Sequence, residues 1–471
     1  MTMKPLLLLF LTCGIIVPIS NAADAAPRRP NVLFLFSDDQ RADTIGALGN
    51  AIVSTPNLDR LVAAGTTLTR AYCMGAQQGA VCVPSRAMLM TGRALFRIKE
   101  NLAGQTTWPE TFAAAGYRTF ITGKWHNQPA SLVRVFQSGQ SVFLGGMGDP
   151  YSLEIQDLDG DGKLMNKRKS PGHSVQVFAD SAIRFLETQK SDQPFLCYVA
   201  FNAPHDPCVA PPEFHERSNA RKPPVPANFL PQHPFNNGEM TVRDEQLAPW
   251  PRTPEVVRQH LADYYASIAF LDQQIGRIIE ALKSSGQADN TIVVFSSDHG
   301  LALGSHGLLG KQNLYDHSMH APLIFAGPGI PKGQRRDALC YLLDIYPTLG
   351  EFAAVTAPEG SEGKSLAGVI AGKSAKVRDH IFTAYTKVQR AVRDDRWKLI
   401  VYPQINRTQL FDLRDDPNEM KDLSGDPAFA DQVTRLTALL KSSQTELGDT
   451  QPLRSENPLP VEFDFSKVKG R

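Results

Sequence analysis

The chain has 471 residues, a length that predicts two or three domains, or one large α/β domain with a small one. Hydrophobic residues make up 42% and charged residues 21% of the sequence, a composition that indicates a globular protein and excludes a disordered or fibrous one. Because 49 basic and 48 acidic residues leave a net charge of +1, we expect no nucleic-acid partner, and any anionic substrate must be recognised by a local cluster of positive groups.

The first segment of the chain has the pattern of a secretory signal peptide. Lys4 provides a positive charge, residues 6–19 form an apolar run, and residues 20–22 include small side chains suited to cleavage. The run is shorter than a transmembrane helix, which needs about 20 residues. We therefore predict a signal peptide at residues 1–22. The mature protein should have no membrane anchor and should be periplasmic or extracellular.

Five of the six cysteines lie beyond the predicted signal peptide, which contains Cys13. An oxidising compartment would permit disulfides, but an odd number leaves at least one cysteine unpaired. A chain of this length buries enough core to need no disulfide scaffold. We therefore expect most of these cysteines to be buried thiols.

The middle of the chain alternates between strand and helix patterns. Continuous apolar runs are typical of strands that are buried on both faces of a parallel sheet. The alternation predicts an α/β catalytic domain at residues 28–372, with a large mixed, mostly parallel sheet covered by helices on both faces. The predicted strands are residues 31–37, 118–122, 195–201 and 291–296, and the predicted helices are residues 55–65, 108–116, 174–189 and 254–284.

Two segments depart from this alternation. Residues 204–254 are rich in proline, which opposes helix interiors and central strands, so we predict an ordered excursion over one edge of the sheet. From residue 380 onwards, short alternating segments separated by turns indicate a small antiparallel sheet, followed by an amphipathic helix at residues 428–447. These patterns predict a small C-terminal α+β subdomain at residues 380–471.

Reactive side chains follow all four predicted strands. Since ligands bind at the carboxyl ends of strands in open α/β sheets, the four loops should converge on one cleft. Three carboxylates there would repel one another unless a cation is present, and carboxylate oxygens suit Ca²⁺ or Mg²⁺. An Asp-Asp pair that stood alone in the sequence would indicate only a loop or a helix cap, and not a metal site. The residues at the strand ends are Asp38 and Asp39, Lys124 and His126, His205, and Asp298 and His299.

Cys82 stands just before Pro84 and an apolar helical run, so we predict its position at a helix N-terminus. The amide N–H groups and the helix dipole at such a position favour an anion. The thiol could therefore have a low pKa and act as a nucleophile. These residues alone do not specify what it attacks.

The segment Cys82-Val-Pro-Ser-Arg86, followed by Thr91-Gly92-Arg93, resembles the signature of the formylglycine-dependent sulfatases in the alkaline-phosphatase-like superfamily. In that family the cysteine is oxidised after translation to formylglycine, and the hydrated aldehyde is the nucleophile. The other motifs follow in the family's order, so the resemblance spans nearly the whole mature chain. It implies hydrolysis of a sulfate monoester, with a sulfated small molecule or glycan as substrate and a formylglycine-generating enzyme as partner.

The resemblance also implies a role for each matching residue. Arg86 would steady the formylglycine hydroxyls, and Lys124 and Lys311 would contact the sulfate. His126 would act on the nucleophile and His205 on the leaving oxygen. The implied metal is Ca²⁺, with Mg²⁺ as the second candidate. Its implied ligands are Asp38, Asp39, the modified Cys82, Asp298 and His299.

Two other functions fit the same residues. Related members of the superfamily hydrolyse phosphonate monoesters or phosphodiesters with the same nucleophile, and a secreted glycan-binding relative could keep the fold without turnover.

A separate feature, residues 157–162, resembles the start of an EF-hand loop. Arg168 stands where that loop needs Glu, so a turn in a surface hairpin is the favoured interpretation.

Overall fold

The structure is a computed structural model that describes residues 1–2, 28–189, 193–465 and 468. The predicted signal peptide lies almost entirely outside these residues. The strands are β1 (Asn31–Ser37), β2 (Gly65–Leu68), β3 (Ala71–Tyr72), β4 (Gly75–Ala76), β5 (Arg118–Lys124), β6 (Ser138–Phe143), β7 (Glu154–Leu158), β8 (Leu164–Lys169), β9 (Phe195–Ala200), β10 (Thr291–Ser297), β11 (His320–Ala321), β12 (Leu323–Ala326), β13 (Gln334–Arg336), β14 (Cys340–Tyr341), β15 (Ile381–Tyr385), β16 (Gln389–Arg393), β17 (Trp397–Tyr402) and β18 (Arg407–Asp412). The α-helices are α1 (Pro56–Ala64), α2 (Cys82–Thr91), α3 (Trp108–Ala114), α4 (Pro129–Val135), α5 (Ser174–Glu187), α6 (Pro212–Ala220), α7 (Pro254–Ser284), α8 (Asp316–Met319), α9 (Ile345–Ala353), α10 (Ala367–Ile370) and α11 (Ala430–Leu447).

The main sheet has ten strands in the order β13-β2-β12-β10-β1-β9-β5-β6-β7-β8. Its centre, from β10 to β6, is parallel, whereas β12 and β7 pair antiparallel with their neighbours on either side. The four predicted strands correspond to β1, β5, β9 and β10. The structure therefore confirms a large mixed sheet with a parallel core.

Helices cover both faces of this sheet, as predicted. The buried side chains of β1 alternate between the faces: Val32 and Phe34 point to one hydrophobic core, and Leu33 and Leu35 to the other. The first core includes side chains of α2, α3, α4 and α9, and the second includes side chains of α1, α5 and α7. Because helices cover both faces of the sheet, a functional site can lie only at the edges of the sheet where the loops are.

The proline-rich excursion at residues 204–254 is mostly irregular, but it contains a short 3₁₀ helix, Arg243–Leu247, and one α-helix that the sequence pattern did not indicate. This helix, α6, starts at Pro212, where the missing N–H of proline costs no intrahelical hydrogen bond. Residues 157–162 comprise the end of β7 and most of the turn that joins it to β8, which confirms the hairpin interpretation. In that turn, Asp159 Oδ1 accepts hydrogen bonds from the backbone of Asp161 and Lys163.

The C-terminal sheet has the order β18-β17-β16-β15-β4. Strands β15 to β18 pair antiparallel, as predicted for this segment, and α11 packs against β16 and β17. The fifth strand, β4, comes from the catalytic part of the chain and pairs in parallel with β15. Gly75 in β4 has φ of 106°, and a Cβ there would lie 1.9 Å from the Ala384 carbonyl oxygen, so this pairing requires glycine. The boundary at residues 372–380 stays a prediction.

The described cysteines are all unpaired. Four of them are buried, and Cys208 is half-buried. This agrees with the expectation of buried thiols and leaves Cys82 free to react. In the described part of the chain, no helix has the length and apolar character needed to cross a membrane.

We expect Trp108→Ala to lower the free energy of unfolding by about 3–5 kcal/mol, because it removes a fully buried indole and leaves a cavity. The Trp108 ring packs 5.4 Å from Phe34 and 6.2 Å from Tyr198, measured between ring centroids. Urea unfolding of both proteins measures the loss. Trp397→Ala, at a partly exposed position, is the matched control and should lower the free energy of unfolding clearly less. Equal losses in the two variants would contradict this assignment of the core.

Candidate active site

The structure brings together every predicted site residue at one edge of the main sheet. Seven of these ten residues lie at the end of β5 or in the loops after β1, β5, β9 and β10, and the other three lie in α2 and in the loop before α8. All of them except the half-buried His126 are buried. A cavity of about 420 Å³ opens onto this cluster. The cavity is lined by Gly79, Ala80, Cys82, His126, Gly146, Met147, His205, Val242, Arg243, Asp244, Lys311 and Gln312.

Cys82 is the first residue of α2, which confirms its predicted position at a helix N-terminus. Lys311 Nζ lies 3.4 Å from its Sγ, and Asp39 Oδ1 lies 3.9 Å away. Burial acts to raise the pKa of the thiol, but the positive charges of Lys124 and Lys311 outweigh it and hold the pKa well below its usual value. The position therefore favours an anion.

The carboxylates around Cys82 are held by fixed positive groups. Lys311 Nζ donates to both oxygens of Asp39, at 2.9 and 2.8 Å, and Lys124 pairs with Asp38. Arg86 Nη2 lies 3.2 Å from Asp298 Oδ2 and 3.6 Å from Asp38 Oδ2. Burial and the charge of Asp38 raise the pKa of Asp298 to about 7. The acids are thus close enough to repel one another, as predicted from the sequence.

The donor set fits a hard divalent cation. Ligand atoms of Asp39, Cys82, Asp298 and His299 all lie within 4.8 Å of one another. Asp38 Oδ1 and His299 Nε2 are buried and have no hydrogen-bond partner among the described residues. Burying a carboxylate oxygen and an imidazole nitrogen that form no hydrogen bond is costly unless a ligand binds them, although His299 Nε2 lies 3.3 Å from Asp39 Oδ1. Carboxylate oxygens favour Ca²⁺ or Mg²⁺, and His299 contributes one softer donor.

Two histidines face the cavity from different strand ends. His205 Nδ1 lies 2.9 Å from the Asp206 carbonyl oxygen, which orients the ring, and its Nε2 lies 3.7 Å from Asp39 Oδ2. Burial acts to lower the pKa of His205, but Asp39 outweighs it and raises the pKa to about 9. Burial lowers the pKa of His126. His205 is therefore suited to donate a proton, and His126 is suited to accept one.

Sequence reasoning did not identify several residues that shape the cavity. Arg243, Asp244 and Gln312 form part of its wall. A Cβ at Gly146 would lie 2.6 Å from His126 Nε2, so Gly146 leaves the room that this ring occupies. The only sequence signal was the position of His205 at the start of the excursion, which placed the excursion near the site but did not identify its individual residues.

Comparison with known proteins identifies the family. Residues 30–355 match the sequence model of the sulfatase family, and residues 304–446 match that of the C-terminal part of N-sulphoglucosamine sulphohydrolase. An N-acetylglucosamine-6-O-sulfatase of Bacteroides thetaiotaomicron is 27% identical over 96% of this chain and 93% of its own length. A sulfatase of Formosa agariphila is 30% identical over 88% and 86%, respectively.

A solved structure has the same fold. It shows a protein in complex with its substrate D-glucosamine-2-N,6-O-disulfate, and it superposes with a TM-score of 0.76 at 25% identity. The superposition covers 91% of this chain and the whole of the other. The family match over most of the chain, together with these relatives, identifies the activity class. The chain belongs to the sulfatase family of the alkaline-phosphatase-like superfamily and is a sulfuric ester hydrolase.

Proposed function

We propose that this protein is a secreted sulfatase that removes sulfate from a sulfated carbohydrate, using formylglycine made from Cys82 and a bound divalent cation. One observation carries the proposal. The Cys82 side chain begins helix α2 and lies between Lys311 and the carboxylate cluster, at the floor of a cavity wide enough for a sugar. The sulfur marks the place that the formylglycine hydroxyls would take.

The charges around this position suit a sulfate ester. Lys124 and Lys311 are buried and fixed by Asp38 and Asp39, so their positive charge is in place before the substrate binds. The N-terminus of α2 adds partial positive charge at the same point. Such fixed groups stabilise negative charge on the transferring sulfate oxygens without reorganising. Arg86, buried between Asp38 and Asp298, would steady the nucleophile.

The histidines divide the proton transfers. We assign proton donation to the leaving oxygen to His205, because Asp39 favours its protonated form. His126 would act on the nucleophile, since its pKa is lowered and a neutral imidazole accepts a proton. Formylglycine would supply a hydroxyl nucleophile, and the cation would draw charge from the reacting oxygens.

We propose Ca²⁺ as the cation, held by Asp38, Asp39, the modified Cys82, Asp298 and His299. Ca²⁺ accepts irregular oxygen coordination, whereas Mg²⁺ requires near-octahedral geometry. A formylglycine-generating enzyme must act on Cys82 before the protein folds around it, because the thiol is 2% exposed. The predicted signal peptide supports a periplasmic or extracellular location.

Carbohydrate as substrate is supported by the relatives. A curated relative is named an N-acetylglucosamine-6-O-sulfatase, and a solved structure with the same fold holds a glucosamine disulfate as its substrate. The test is sulfate release from N-acetylglucosamine 6-sulfate, compared with release of phosphate and phosphonate from matched esters. Sulfate release should be faster by orders of magnitude. Faster hydrolysis of the phosphorus esters would favour the phosphonate and phosphodiester alternative.

We expect Asp298→Asn to lose bound cation and activity, because it removes a buried negative charge from the donor set. Metal content, measured by mass spectrometry of the purified protein, should fall at least about tenfold at limiting Ca²⁺. His299→Asn is the matched comparison and should be milder, since Asn offers an oxygen in place of the imidazole nitrogen. Chelation should inactivate the wild type, and Ca²⁺ should restore it. Full activity in metal-free protein would contradict the proposal.

A further inference from the structure

Lys311 directly follows a loop, residues 302–310, whose backbone is held from two sides. On one side the loop pairs with itself: the backbone N–H groups of residues 302–304 donate to the carbonyl oxygens of residues 308–310 at distances of 2.7–3.2 Å. These bonds use the carbonyl groups next to Lys311. The N–H groups of Leu309 and Gly310 therefore need a partner from another part of the chain.

Glu245, in the 3₁₀ helix of the excursion, accepts hydrogen bonds from both of these N–H groups. Leu309 N lies 3.0 Å from each carboxylate oxygen of Glu245, and Gly310 N lies 2.8 Å from Oε1. The Glu245 side chain is only 4% exposed. A Cβ at Gly310 would lie 2.8 Å from Asp244 Cβ and 3.2 Å from Glu245 Oε1, so the loop and the excursion approach each other closely.

Arg252 completes this contact as a fully buried cation. Its Nη2 donates to Glu245 Oε2 at 2.8 Å and to the Glu245 carbonyl oxygen at 2.7 Å, and its Nη1 donates to the Gly307 carbonyl oxygen. Glu245 and Arg252, which we name the loop clamp, thus hold the loop at Gly307 and at residues 309–310. A buried ion pair adds little net stability, because desolvation offsets the attraction, so the place of this pair on the loop points to a role in positioning.

We propose that Glu245 is a positioning residue for Lys311: it fixes the backbone directly before this lysine, so that the ammonium group meets the transferring sulfate at one place. The inference rests on the proposed role of Lys311 in sulfate transfer. Two hydrogen bonds from Nζ to Asp39 fix the tip of the side chain, but they do not fix its backbone. A misplacement of about 1 Å in such a site lowers the rate by about 10²-fold.

Two variants of Glu245 separate the position of the loop from the stability of the protein. Glu245→Gln keeps an oxygen at the place of Oε1, which accepts from both N–H groups, whereas Glu245→Ala has no acceptor. Both leave Arg252 without its anionic partner, so both should lower the midpoint of thermal unfolding by similar amounts. We expect kcat/KM for nitrophenyl sulfate to fall about 10²-fold in Glu245→Ala and less than about fivefold in Glu245→Gln. Equal losses of activity in the two variants would overturn the proposal.

A double-mutant cycle shows whether Glu245 acts through Lys311. Lys311→Ala should lower kcat/KM at least about 10²-fold, because it removes a fixed positive group. Adding Glu245→Ala to Lys311→Ala should lower kcat/KM by no more than about twofold further. Independent, additive losses would overturn the proposal. Asp449→Ala is the matched control: it breaks a buried pair with Arg390, whose side chains are 2% and 3% exposed, and should lower the unfolding midpoint while leaving kcat/KM close to that of the wild type.

If a single variant of Glu245 does not fold, two variants without the buried charges decide the question. Glu245→Gln/Arg252→Met and Glu245→Ala/Arg252→Met differ only in the acceptor at residue 245, and the first should be about tenfold or more faster. Equal activity in this pair would overturn the proposal.

Hydrogen exchange of peptides that cover residues 302–310, followed by mass spectrometry, gives a readout that needs no turnover. Exchange of the Leu309 and Gly310 amides should be faster in Glu245→Ala than in the wild type, and close to the wild type in Glu245→Gln. Unchanged exchange in Glu245→Ala would overturn the proposal. If the wild type hydrolyses no sulfate ester, the proposed function fails, and exchange still decides whether Glu245 holds the loop. If Lys311→Ala is impaired and Glu245→Ala is not, this inference alone fails.

Discussion

Replacement of Cys82 by alanine is expected to abolish sulfate ester hydrolysis, with kcat lowered by at least about 10⁴-fold. The alanine methyl group cannot be converted to formylglycine, so the proposed nucleophile is lost. The neighbouring positive groups, Lys124 and Lys311, remain paired with Asp38 and Asp39 and should keep the cavity intact. The loss is measured as the rate of sulfate release from a sugar sulfate and from nitrophenyl sulfate.

Two further variants separate loss of chemistry from loss of structure. Cys340→Ala removes a buried thiol far along the chain, in β14, and should keep activity close to that of the wild type. Cys82→Ser should be inactive unless the host has a maturation system that oxidises serine. Thermal unfolding should show that Cys82→Ala is folded. Turnover like that of the wild type in folded Cys82→Ala would contradict the proposed nucleophile.

Substitution of His205 by alanine is expected to impair sugar sulfate hydrolysis far more than nitrophenyl sulfate hydrolysis. A sugar alkoxide is a poor leaving group and needs a proton, whereas nitrophenolate leaves largely without one. General acid catalysis contributes about 10²–10⁴-fold where the proton is needed, so kcat/KM for the sugar sulfate should fall by that factor. The structure supports this role because Asp39 favours the protonated form of His205.

The matched variant is His126→Ala, in the same cavity. We expect it to lower kcat/KM for both substrates by similar factors, since His126 acts on the nucleophile and not on the leaving group. Comparing kcat/KM is informative because it reports the free enzyme up to the first irreversible transition state. If leaving-group dependence appeared in His126→Ala and not in His205→Ala, the two roles would be reversed.

Much of the fold followed from local patterns in the sequence. The apolar runs of β1 and β10 predicted buried parallel strands, and the structure pairs them along their full length. Helix α7 begins and ends at the predicted residues because Thr253 caps it and an apolar stripe follows. Strand β4, in contrast, has only two residues, which is too short to show any period. For this reason its parallel pairing with β15 was not predicted.

The site was predictable where residues follow strand ends or match a signature. Asp38 and Asp298 follow strand ends, and Cys82 belongs to the signature. Their proximity in the structure follows from the strand order and from the family resemblance. Pairings across long sequence separations could not be derived from pattern alone. Arg243 and Asp244 are examples, because they begin a short 3₁₀ helix (Arg243–Leu247) whose five residues are too few to show a period in the sequence. Their contact with the cavity depends on tertiary packing.

The most direct test of the proposed mechanism is the mass of the tryptic peptide at residues 71–86, isolated from the protein of its native host after alkylation. Formylglycine replaces one sulfur and two hydrogens of Cys82 by one oxygen and cannot be alkylated. Cys73 lies in the same peptide and serves as an internal control. We expect Cys73 to be alkylated and position 82 to carry the aldehyde. An active enzyme in which both cysteines are intact and alkylated would contradict the formylglycine mechanism.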